Sequence, residues 1–141
     1  MDRSAWLKTP YANTSAKDPD SAITALLQKY QVVHFSTTHA PGPGGNPGYG
    51  VRFELGGLWY VVAFESLSVK GVDPRQLLNQ VKRVVYYTLK TLLEASEVFV
   101  SRQKLLLPFL EVGGMNLYEQ MKPFLADFQA TPGRLALLGL E

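Results

Sequence analysis

From Asp73 to Phe99, Leu77, Leu78, Val81, Val85, Leu89, Leu92, Ser96 and Phe99, all but Ser96 apolar, recur at three- and four-residue steps. That is the spacing of one buried helical face, so the pattern predicts a long amphipathic helix around which the chain is organised. Asp73 supplies a side-chain cap, and Pro74 suits the first turn because its missing N–H would have no partner there. The opposite face reads Asn79, Lys82, Arg83, Tyr86, Lys90, Glu94, Glu97, basic and aromatic first and acidic later. Lys90 and Glu94 stand four residues apart, the spacing of an ordinary surface pair.

The same cap-then-proline signal at Asp18-Pro19 precedes Ile23, Leu26, Leu27 and Tyr30, which predicts a helix over about 19–30. Gln31 to Thr38 is rich in β-branched and aromatic residues and is expected to be a strand containing His34. From His39 to Gly50 the Gly/Pro-rich run HAPGPGGNPGYG reads as a loop carrying Tyr49. It has no phosphate-cradle spacing.

Val51 to Glu65 carries a hairpin signal: two alternating apolar runs flank Gly56-Gly57, a pair suited to the positive φ angles of a two-residue turn. The implied register sets Leu55 opposite Leu58, Phe53 opposite Tyr60 and Val51 opposite Val62 on an apolar face, with Arg52, Glu54, Trp59, Val61 and Ala63 on the other.

Beyond the long helix, Val100 to Val112 is expected to be a short helix or a loop packed through Leu105 to Leu107. Asn116 with Glu119 three positions on marks the start of a last helix, striped by Leu117, Met121, Phe124, Leu125 and Phe128 and kinked or split at Pro123.

The fold class these elements give is α+β: a three-stranded antiparallel sheet packed on one face by helices, in the order helix, three strands, long helix, short helices. Its expected core is Leu26, Leu27, Val33, Phe53, Leu55, Tyr60, Val62, Leu78, Val85, Leu89 and Leu92. Residues 18–128 form the single domain of this reading, between a flexible arm at 1–17 and an apolar tail at 129–141. The arm's interleaved basic and aromatic residues Arg3, Trp6, Lys8, Tyr11 and Lys17 fold either onto nucleic acid or onto the protein's own surface, packing Trp6. The leucine-rich tail favours an apolar contact, which makes a homo-oligomer an expected assembly.

Composition sharpens this picture by exclusion. A chain of 141 residues that is 46% hydrophobic can bury a sizeable core. It has no cysteine, hence no disulfide, thiolate nucleophile or cysteine zinc site. No run of about 18 apolar residues is available to span a bilayer, and the opening residues lack a signal-peptide core, so a soluble cytoplasmic protein is expected. His34 and His39 lack nearby partners for a metal set. Without a nucleophile elbow, a metal motif or a dinucleotide fingerprint, the expectation is no enzyme and no cofactor.

Net charge of +2 neither demands nor forbids nucleic acid. Two features offer a place for a single strand. Trp59 beside Arg52 on an open sheet face is a stacking platform, and Lys82, Arg83, Tyr86 and Lys90 form a cationic row with a ring in it. The leading function is therefore a non-enzymatic accessory protein binding single-stranded nucleic acid through these six residues. The alternative is an interaction or assembly factor that forms a homo-oligomer through its sheet face and apolar tail.

Arg83 with LKTLLEASE at Leu89 to Glu97, PFLEV at Pro108 to Val112 and NLYEQM at Asn116 to Met121 resembles a family of small uncharacterised phage and mobile-element proteins. Their long helix has the form R-A-L-L-L-x-I-K-A-K-L-E-A-x-E, followed by F-L-x-Y and a short last helix. The resemblance covers roughly residues 20–125 and implies a phage or mobile-element setting. Arg102, Gln103 and Lys104 replace the acidic run that the family carries before F-L-x-Y.

Overall fold

A computed structural model describes residues 1–12, 19–98 and 103–130. The elements follow the expected order: α1 (Arg3–Trp6), α2 (Pro19–Lys29), β1 (Phe35–Pro41), β2 (Pro47–Leu55), β3 (Leu58–Glu65) and α3 (Pro74–Ser96). After them come α4 (Gln103–Leu106), a short hairpin of β4 (Glu111–Val112) and β5 (Met115–Asn116), α5 (Leu117–Met121) and α6 (Leu125–Ala130). The sheet is antiparallel in the order β1-β2-β3. The fold is α+β.

Helix α3 begins as its sequence dictates, with the Asp73 carboxylate accepting from the Arg75 N–H at 2.8 Å and Pro74 behind the cap. Its buried face is Leu77, Gln80, Val81, Val85, Leu89, Leu93 and Ser96. Leu78 and Leu92, expected in the core, are half-buried and pack against it, and Leu93 is buried in it. Phe99 and Asp18 lie outside the described residues. With α2, α3 covers the sheet face carrying Val51, Phe53, Tyr60 and Val62, and Leu26, Leu27, Val85 and Leu89 complete one core.

The β2–β3 hairpin has the expected register, Leu55 opposite Leu58 and Val51 opposite Val62, and Gly56 and Gly57 take φ of 63° and 83°. These are the angles of the turn that matches strand twist. Gly113 and Gly114, at φ 60° and 85°, repeat the device between β4 and β5, so Val112, expected in a short helix or loop, lies in a hairpin.

The first strand and the glycine-rich run depart from expectation. Gln31 and Val32 terminate α2 rather than begin a strand: Gln31, at φ 61°, donates to the Gln28 carbonyl, and the Val32 N–H returns to the Leu27 carbonyl at 2.9 Å. That pairing satisfies the helix's last carbonyls and buries Val32 against them. Val33, expected in the core, is 78% exposed as a result. Pairing instead extends into the supposed loop, with His39 opposite Tyr49, Ala40 opposite Gly48 and Pro41 opposite Pro47. Only Gly42 to Asn46 turns. There the Glu65 carboxylate, at the end of β3, accepts from the Gly44 and Asn46 N–H groups and from Asn46 Nδ2 at 3.0–3.3 Å. The Gly44 N–H, then the Asn46 amide, hold this carboxyl below its usual range.

Of the two alternatives for the opening residues, the structure packs Trp6. Its ring is 1% exposed beside Val72 and Leu77, its Nε1 donates to Gln80 Oε1, and Tyr11 stacks on Tyr87 at 4.9 Å. Residues 1–12 thus strap onto α3, whereas 13–18 and the apolar tail from 131 lie outside the described residues. Pro123 splits the last helical segment as expected, with a 3-10 turn at Lys122–Phe124 between α5 and α6. Asn116 caps α5 by accepting from the Glu119 N–H at 3.0 Å. No described helix is long and apolar enough to cross a membrane.

Candidate functional site

The six residues nominated from sequence fall in separate places. Arg52 and Trp59 project from the sheet face opposite α3, since strand alternation sends them away from the Val51, Phe53 and Tyr60 side. The Arg52 guanidinium lies 3.8 Å from the Trp59 ring centroid and reaches past it to Glu111, which accepts from Nε and, at 3.2 Å, from Nη2. The indole face that would receive a base thus already carries a cation, and that cation already holds a carboxylate.

Lys82 is only 13% exposed. Its Nζ donates to Asp20 Oδ2 at 2.8 Å, Tyr49 Oη donates to Asp20 Oδ1 at 2.9 Å, and the ammonium sits 5.3 Å from the Tyr49 ring. Burial of Asp20 acts to raise its pKa, but the hydrogen bonds from Lys82 and Tyr49 outweigh it and hold the carboxyl below the usual value. This trio ties α2 to the sheet and α3. Lys90 pairs with Glu94 at 3.4 Å, the surface pair its spacing predicts. Tyr86 is half-buried against the core with its ring edge on Tyr87, and Arg83 is half-buried one residue beyond Lys82.

Sequence reasoning missed an open polar surface, the outer edge of β1. Six of its seven residues are exposed and none is Lys, Arg, Asp or Glu. The Glu54 N–H bonds the His34 carbonyl directly opposite, so Ser36, Thr38 and Ala40 turn their backbone groups toward β2. Phe35, Thr37 and His39 then direct theirs outward, and no described strand lies beside them. The signal lies in Ser36 to Pro41, although the glycine- and proline-rich run makes His39 to Pro41 read as loop. No three His, Asp or Glu side chains gather as a metal set among the described residues.

Comparison with protein-family models, curated proteins and solved structures finds no match to this chain.

Proposed function

We propose that this chain is a non-enzymatic assembly protein that binds an extended segment of another polypeptide along β1, within the phage or mobile-element setting its sequence resemblance implies. The observation that carries the reading is the outward row of backbone N–H and C=O groups at Phe35, Thr37 and His39 on an exposed, uncharged seven-residue edge. Soluble proteins usually blunt such edges with lysines, inward charges or a covering element, and recognition domains leave them open for strand addition. The flanking Ser, Thr and Ala side chains suit a small, uncharged, β-branched segment.

Single-strand binding draws on Arg52, Lys82 and Lys90, and each already holds a carboxylate of its own chain. Phosphate would have to displace those carboxylates, which weakens the case for counterion-driven binding.

Thr37→Pro tests the proposal, because it removes an outward N–H while sparing the ladder to β2. Displayed peptides selected on the full chain should bind, lose binding on Thr37→Pro, and slow amide exchange at Phe35, Thr37 and His39. Failure to select any Thr37-dependent peptide would overturn the proposal. So would tight binding of a labelled oligonucleotide that weakens steeply with salt and survives Thr37→Pro.

A further inference from the structure

The outward row of β1 runs out of backbone donors at Pro41, and a cleft begins there. Pro41 pairs with Pro47 and continues the alternation of Phe35, Thr37 and His39, so the N–H it lacks would have faced away from β2. A segment lying along β1 can accept from outward N–H groups as far as His39. Beyond that point side-chain contact is what can hold it.

By the same alternation the side chains of His39 and Pro41 lie on the sheet face of Tyr49 and Val51, the face that α3 covers. Between this end of β1 and the first turns of α3 is a mostly apolar cleft of about 380 Å³, walled by His39, Pro41 and Pro47 on the sheet and by Pro74, Arg75 and Leu78 on the helix. A strand residue directly opposite Pro41 turns its side chain to that same face, with its Cβ about 5 Å from that of Pro41. That side chain is aimed at the cleft. The three proline rings and Leu78 offer it apolar surface, and the Arg75 guanidinium, which Asp73 holds at 3.3 Å, favours a ring over an aliphatic chain.

We infer that the cleft takes one bulky apolar side chain, an aromatic ring above all, from the residue of the bound strand opposite Pro41. The inference rests on strand addition along β1 and adds the feature that sets its specificity: backbone bonds are blind to sequence, whereas a filled pocket is not. Ser36, Thr38 and Ala40 face the other side of the sheet, so the partner's small residues alternate with positions on the anchor's face.

Peptides displayed against the full chain and selected for dependence on Thr37 should share one Phe, Tyr, Trp or Leu at a fixed place. Replacing that anchor by alanine should weaken binding roughly tenfold or more. Leu78→Trp narrows the cleft from α3, and Pro41→Trp fills it from an exposed edge position while supplying the missing outward N–H. The anchored peptide should lose a similar factor on Leu78→Trp, whereas the alanine peptide should bind parent and variant alike, with circular dichroism unchanged. Thr37-dependent peptides that share no bulky residue overturn the inference and leave strand addition standing. So does an anchor whose contribution survives both Leu78→Trp and Pro41→Trp. Failure to select any Thr37-dependent peptide overturns both.

Discussion

Trp6 Nε1 donates to Gln80 Oε1 at 2.8 Å across 74 residues of sequence, and the Gln80 amide in turn donates to Thr9 Oγ1 at 2.7 Å and the Pro10 carbonyl at 2.8 Å. One glutamine on α3 thus completes the hydrogen bonding of the strap, and Gln80 is buried because all three bonds are made. Trp6→Phe keeps most of the ring volume but leaves the Gln80 oxygen unpartnered, and should cost about 1–3 kcal/mol. Trp6→Ala adds a cavity and should cost about 3–5 kcal/mol. Urea melts of both variants check the order; equal losses would assign the whole effect to packing.

The Asp20 carboxylate gives the fold a pH-dependent tie. Its folded pKa lies below the unfolded value of 3.8, so the stabilisation is fully present above 3.8 and is lost as pH falls through the lower folded value. Lys82→Met should lower stability by about 1 kcal/mol at neutral pH, a modest figure because Asp20 remains partly solvated. The gap from the parent chain should close in acid. Thermal melts at pH 7 and at progressively lower pH check this, and a constant gap would locate the effect in the lysine's aliphatic stem.

Glu111 fastens the β4–β5 hairpin to the outer sheet face through Arg52. Glu111→Ala should cost only about 0.5–1 kcal/mol globally, as half-exposed ion pairs do. Local exchange should reveal more. Amides from Leu110 to Met121 should exchange faster while β2 and β3 hold, and uniform acceleration would show that the hairpin does not open on its own.

Gly56 and Gly57 carry the β2–β3 turn at positive φ. Gly56→Asn should be nearly neutral, since asparagine tolerates that region, whereas Gly56→Val should cost about 1–2 kcal/mol. Denaturation midpoints of the pair check the difference.

What could be read in the sequence was what local chemistry decides. Asp73-Pro74 marked α3, Gly56-Gly57 set the hairpin register, and the four-residue step from Lys90 to Glu94 announced its ion pair. The second half of β1 was hidden because Gly48 and Gly50 look like loop residues. In the sheet they are small for another reason: a Cβ on Gly48 would sit 2.7 Å from the Ala40 carbonyl oxygen, and one on Gly50 2.9 Å from the Ala63 Cβ. The Asp20–Tyr49–Lys82 trio and the Arg52–Glu111 pair join residues 29 to 62 positions apart, so no local pattern could disclose them. Tertiary pairing likewise changed the meaning of Arg52 and Lys82, turning cations that looked available into cross-links.

The strap also sets an order of events during synthesis. Trp6 is made well before Val72, Leu77 and Gln80, the residues that bury it, and closing a loop of that length must await α3. Until then the Trp6 indole lacks the side chains that bury it in the folded chain. A strap that latches only after α3 exists reports completion of the helix, and the fluorescence of Trp6 should shift late in refolding, after the helical signal has appeared.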